Sequence, residues 1–168
     1  MTDQGHDGSG ARVLTAQDGE TLGDPSGVRD RFMIDGKDAD GRFALVQHLF
    51  APRALAAPMH RHHLEDEFTY VVAGRIGAVL GEEEVFGEPG DLIFKPRNQW
   101  HTFWNAGDEP AAVLEIISPA GLEQLFRAMG SLTEAPDPDA MAAMAAPYQC
   151  DADPERTQQV IERHGLTF

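Results

Sequence analysis

The sequence predicts an all-β domain, an antiparallel β-barrel or jelly roll, with a few α-helices added at its C-terminus. Three observations carry this reading. Short apolar runs fill the chain from Arg29 to Ser118, Gly, Pro and Asp punctuate them, and the spacing turns helical after Ser118. Runs of that length between turn residues read as strands. Many such strands at near-even spacing suggest a closed architecture, because closure removes exposed edges.

Taken in order, the strands are expected at Val28–Ile34, Arg42–Phe50, Glu67–Ala73, Ile76–Leu80, Glu83–Phe86, Leu92–Lys95, Trp100–Trp104 and Ala111–Ile117. Asp40-Gly41, Ala73-Gly74, Pro89-Gly90-Asp91 and Asn105 to Asp108 supply turns. Beyond them Pro119 opens a stretch in which Leu122, Leu125, Phe126 and Met129 recur at helical spacing until Gly130. Asp137-Pro138 and Asp153-Pro154 read as two further helix starts, each an N-cap followed by proline. The chain thus divides into a mostly flexible N-terminal segment (1–27), a barrel (28–118) and a helical extension (119–168). Met1–Gly10 reads as a disordered lead-in without the order of a signal peptide.

Composition narrows the partners. A chain of 168 residues can bury a core as one domain. Its net charge of −15 argues against nucleic acid and anionic membranes, whose phosphates need clustered Lys and Arg. No apolar run approaches bilayer length. Cys150 is the only cysteine, so no disulfide framework exists and a cytoplasmic address is the default. The expected partner is a small molecule.

The chemistry concentrates in His60-Arg61-His62-His63-Leu64-Glu65-Asp66-Glu67 and in Trp100-His101-Thr102-Phe103-Trp104. Alternate side chains of an extended strand share a face, so His60 and His62 point the same way. Three imidazoles and a carboxylate form a common donor set for a divalent transition metal. Glu65 and Asp66 rival Glu67 as the carboxylate. His6, His48, His63 and His164 read as structural or surface histidines.

These residues resemble the two motifs of the cupin superfamily. The first appears as His60-x-His62-x4-Glu67-x6-Gly74, the second as Gly90-x5-Pro96-x4-His101-x3-Asn105. Ala54 and Asn98 replace glycines of the pattern, and Asn tolerates the left-handed backbone a glycine would supply. Neither change touches a ligand. The resemblance implies a jelly-roll barrel, His60, His62, Glu67 and His101 as metal ligands, and a homodimer. The spacings to His62 and Gly74 select Glu67 and leave Glu65 and Asp66 solvated. The small residues after the last strand, Ser118 to Glu123, also resemble flavonol-dioxygenase-like single-barrel cupins.

Around the metal, Thr69, Val71 and Phe103 share strand parity with the ligands and are expected to line a pocket. Glu115 stands among aliphatics and has two readings, an outward surface carboxylate or an inward acid or base whose pKa burial would raise. Glu67 is the other candidate catalytic carboxylate. His48 is ambiguous in the same way, with a structural role as the better fit. Arg53, Arg61 and Arg75 are either substrate-carboxylate binders or surface residues. Trp100 and Trp104 should pack on the outer face, and Cys150 reads as incidental.

The donor set does not choose among Fe, Mn, Ni, Co, Cu and Zn. The leading expectation is a metal-dependent dioxygenase acting on a small oxygenated molecule. A redox-neutral isomerase, epimerase or lyase, and a non-catalytic binding or sensing protein, are the alternatives.

Overall fold

Alternation of apolar and polar side chains builds two facing sheets. The structure is a computed structural model that describes residues 10–133 and 137–168. One sheet contains β1 (Thr21–Gly23), β2 (Val28–Ile34), β3 (Ala44–Phe50), β10 (Ala111–Ser118), β5 (Asp66–Ala73) and β8 (Leu92–Lys95), in that order. The other contains β11 (Cys150–Asp153), β4 (Met59–His62), β9 (His101–Asn105), β6 (Ile76–Leu80) and β7 (Glu83–Gly87), also in that order. Every pairing is antiparallel. This is the expected jelly-roll architecture. β3 shows its logic, since buried and half-buried residues alternate along its whole length.

Phe50, Val71, Ile76, Ala78, Ile93, Phe103 and Val113 fill the space between the sheets. A second apolar layer, Phe32, Ala44, Val46 and Ile117, is covered by Leu122 and Leu125 around helix α1 (Glu123–Gly130), with Met144 of α2 (Pro138–Ala145) against it. Trp104 is fully buried on the outer side of the second sheet, where Val160 of α3 (Pro154–His164) covers it. Gly77 makes that packing possible, because a Cβ there would come within 2.4 Å of the Trp104 ring. Asp137 and Asp153 cap α2 and α3 by accepting from the backbone N–H of Ala140 and Arg156, as their Asp-Pro sequences foretold.

Several boundaries differ from the expectations, β5, β7, β9 and β10 by a single residue at one or both ends, and β4 was not among the expected strands. β1 pairs with β2 through Thr21↔Arg31, so the sheet begins inside the segment expected to be mostly flexible. β3 starts at Ala44 because Arg42 is held in the preceding turn, its guanidinium donating to the Ala39 carbonyl. The helical extension also contains a strand, β11, which adds to the edge of β4. The lead-in expected at Met1–Gly10 lies, but for Gly10, outside the described residues. Among the described residues, no helix is long and apolar enough to cross a membrane.

Candidate metal centre

Strand register brings the four ligands together. His60 of β4 lies directly across from His101 of β9. His62 follows on the same strand, and a bend at residues 63–64 leads into β5, which carries Glu67. One donor atom from each of His60, His62, Glu67 and His101 lies within 4.8 Å of all the others. The Nε2 atoms of His60 and His62 are 3.0 Å apart, and His101 Nε2 is 3.2 Å from Glu67 Oε2. Donors about 2.1 Å from a common centre and at right angles to one another would be separated by about 3 Å.

The outer nitrogens support this reading. His60 Nδ1 donates to the Pro58 carbonyl at 2.6 Å and His101 Nδ1 to the Gln99 carbonyl at 3.0 Å. Donation from Nδ1 fixes the tautomer that leaves the Nε2 lone pair facing the cluster. His62 Nδ1 lies 3.1 Å from Cys150 Sγ. Cys150 is therefore a neighbour of a ligand rather than an incidental residue of the tail. The donor set fits a divalent transition ion.

Charge in the site is arranged by burial and by neighbours. Burial, helped by the other imidazoles, holds His60 well below the ordinary imidazole range. Burial likewise lowers His101. Burial also opposes charge on His62, but the Glu67 carboxylate and the Cys150 contact outweigh it and push the pKa up to about 10. Burial would raise Glu67, yet the Lys95 ammonium and His62 hold it well below the usual carboxylate range.

Behind the ligands lies a polar row that the sequence showed only in part. Lys95 is directly opposite Glu67 across β5 and β8, and its Nζ is 2.9 Å from Glu67 Oε2 and 3.1 Å from Glu115 Oε2. Glu115 points inward and is fully buried, which excludes the outward surface reading, and burial raises its pKa. Thr69, opposite Glu115 on β5, donates its hydroxyl to Glu115 Oε2 at 2.7 Å. Phe103 lies under the Lys95 ammonium at 3.9 Å, and Val71 belongs to the apolar layer beside it. His48 faces inward too. Its Nδ1 is 2.7 Å from Asp30, its Nε2 is 3.9 Å from Glu115, and its ring packs edge-on against Phe103 and Phe126.

Other candidates fall outside this constellation. Asp66 pairs outward with Arg97 at 2.7 Å. Glu65, expected to be solvated, is 4% exposed and its Oε2 has no partner, because the bend at 63–64 breaks strand parity and turns it inward. Arg53, Arg61 and Arg75 pair with Asp108, Asp151 and Glu88 and take no part in the cluster. His63 bonds Asp151 and Asn98, and His164 bonds Glu84. Asn98 adopts φ 64°, the left-handed backbone its place in the motif requires. Lys95 and Cys150 are the residues sequence reasoning missed. A lysine at an inward parity position, between Phe94 and Pro96, was the available signal for the first.

Comparison with known proteins agrees with the fold. Residues 46–117, from within β3 to within β10, match the cupin domain family. The tetracenomycin polyketide synthase protein TcmJ of Streptomyces glaucescens is 25% identical over 122 residues, 71% of this chain and 82% of that protein. The polyketide cyclase RemF of Streptomyces resistomycificus superposes with a TM-score of 0.55 at 25% identity, over 64% of this chain and 79% of that one. KdgF of Halomonas sp. superposes with a TM-score of 0.58 at 21% identity, over 68% of this chain and 99% of that one, a likeness of fold alone. Sheet order, paired motifs and the family match converge on one assignment: the chain carries a cupin domain over residues 46–117.

Proposed function

We propose that this protein is a metal-dependent, redox-neutral enzyme that acts on an enolisable, polyketide-like carbonyl compound. The observation that carries the reading is a three-histidine, one-glutamate cluster, enclosed except for half-buried His60, near a fully buried carboxyl, Glu115. The likenesses to a polyketide synthase protein and a polyketide cyclase support the substrate class. A divalent ion held by His60, His62, Glu67 and His101 would supply positive charge to polarise a carbonyl. Glu115 would accept the proton released next to that carbonyl and return it. Lys95 and Thr69 keep Glu115 oriented, and Phe103 and Val71 supply the apolar wall.

The test is deuterium exchange by NMR. Zinc-loaded protein, under argon, should exchange the carbon-bound hydrogens of an enolisable aryl polyketone faster than buffer does. Glu115→Gln should lower that rate by about 100-fold or more. No exchange with any metal would refute the reading. A dioxygenase remains the second reading, because the same donor set suits redox-active ions. Turnover with the iron-loaded protein that stops under argon would favour it over the first.

We further propose that the protein works as a homodimer joined through the outer face of the β3–β10–β5–β8 sheet. The outward side chains there, among them Leu45, Leu114, Ile116, Phe68, Leu92 and Phe94, are apolar or uncharged except Asp66 at the start of β5, which Arg97 pairs. A chain of net charge −15 can approach its own copy most closely through a face with so little net charge. A monomer mass in light scattering across the micromolar range would refute this assembly.

A further inference from the structure

The inward face of the six-stranded sheet carries a row of ionisable groups across five strands. Asp30 of β2 is directly across from His48 of β3. His48 Nε2 stands 3.9 Å from Glu115 Oε2 of β10, just beyond hydrogen-bond length, and ion pairs continue from Glu115 to Lys95 of β8 and from Lys95 to Glu67 of β5. Folding does not call for such a row. Buried ion pairs contribute little net stability, and apolar residues of similar volume commonly replace them at no loss.

The two ends of the row differ. Glu67 and Lys95 belong to the metal cluster. Glu115, His48 and Asp30 lead away from it toward solvent, since Asp30 is 18% exposed where Glu115 is fully enclosed. Glu115 also has an unused atom. Its Oε2 takes the Thr69 hydroxyl and the Lys95 ammonium, while its Oε1 is buried without a partner. A buried oxygen left unbonded costs free energy unless something meets it during function.

We propose that Glu115, His48 and Asp30 form a proton relay connecting the interior beside the metal cluster with solvent at β2. A proton taken up at Glu115 leaves from the carboxyl to His48 Nε2, while His48 Nδ1 releases one to Asp30 and then to water. The return path runs in reverse, so protons balance and no redox partner is needed. The groups facing His48 are Asp30 of β2, Glu115 of β10 and, at longer range, Lys95 of β8. Those facing Glu115 are Lys95 of β8, Thr69 and Glu67 of β5, and His48 of β3. Burial lifts Glu115 above the ordinary carboxylate range, and His48, which burial alone would lower, is raised by the Asp30 and Glu115 carboxylates. Both groups thus hold a proton more firmly than they would in water. The relay rests on this geometry alone and does not require the proposed substrate class.

The experiment follows the Glu115 proton without any substrate. Zinc-loaded full-length protein is mixed rapidly from H2O into D2O, and the protonated carboxyl stretch is followed by infrared spectroscopy, with Glu115→Gln identifying the band. His48→Phe should slow its exchange by roughly tenfold or more, because exchange must then wait for local opening. Asp30→Asn keeps the shape of its site and should slow exchange as well, so it carries the test if the His48 variant does not fold. Equal exchange rates in wild type and Asp30→Asn would overturn the relay. So would the absence of a protonated Glu115 band anywhere between about pH 5 and 8, the range in which a histidine relay works. Loss of ketone exchange with an intact relay would sink only the proposed reaction.

Discussion

Both faces of the six-stranded sheet depart in part from the usual order of a protein, a partial inversion set into an otherwise apolar inner face. Among its apolar residues the inner face also carries Asp30, His48, Glu67, Lys95 and Glu115, while the outer face of β3, β10, β5 and β8 is mostly Leu, Ile, Phe, Tyr and Val. Hydrophobic burial alone would sort these residues the other way. The inversion teaches that neither face is set by folding alone. Charges retained inside a core need a chemical use, and apolar residues gathered outside need a cover.

The inner face breaks most severely at Lys95. Replacing it by Met leaves Glu67 and Glu115 buried with no cation between them, and should cost about 3–5 kcal/mol in urea unfolding of the metal-free protein. Zinc should recover part of that loss, since the ion meets the Glu67 charge. Adding Glu115→Leu to Lys95→Met should restore most of the remainder. A loss under about 1 kcal/mol from Lys95→Met alone would show that the two carboxylates do not depend on the ammonium.

Next in size are the ligands and their neighbours. His101→Ala removes a donor and should weaken zinc binding by more than about 100-fold, beyond what outer contacts usually command. Cys150→Ala removes only the group behind His62 Nδ1 and should weaken it by about 10-fold. Competition with a chelating dye measures both. If the two variants bind zinc equally, either His101 is not a ligand or Cys150 is more than a neighbour.

The pH dependence sharpens the same comparison. The His62 pKa is raised from 6.5 to about 10 in the metal-free fold, chiefly because the Glu67 charge overcomes burial. A raised pKa contributes stability that is fully present below 6.5 and lost as pH rises through about 10. The metal-free protein should therefore lose stability toward alkaline pH. Zinc binding must displace the His62 proton, so its affinity should rise by up to about tenfold per pH unit over the neutral range. A flat zinc affinity from about pH 6 to 8 would show that no proton leaves.

What could be read in the sequence follows from which residues obey a period. β2, β6 and β8 match their expected spans, since turn residues bound each of them. The four ligands were legible because their spacings satisfy two motifs at once. Glu65 was misread because a bend at 63–64 resets strand parity, and no residue type announces such a reset. β11 was missed because Cys150–Asp153 is too short and too polar to carry a strand signal. Its pairing with β4, which brings Cys150 opposite His62, is a long-range contact that no local pattern encodes. The Glu115–Lys95–Glu67 string was hidden for a similar reason. Parity could place Glu115 on either face, and only the register of β10 against β5 and of β5 against β8 brings the three together.

The outer face offers the smallest effect on the fold and the clearest one on assembly. Leu92 is 57% exposed and Phe94 47% exposed, both on β8 at the edge of the sheet. Leu92→Glu adds a charge at a surface position and should change the stability of the isolated chain by no more than about 0.5 kcal/mol. In a two-fold assembly the same change occurs in both copies and buries two like charges near each other, which an interface with so little charge cannot offset. Light scattering should therefore read a dimer for the wild type and the 18.3 kDa monomer for Leu92→Glu. Zinc binding should be unchanged, because the residue lies on the opposite face from every ligand. If Leu92→Glu remains a dimer, the apolar outer face serves something other than self-association, and the inversion of the sheet would have a functional cause on its inner side only.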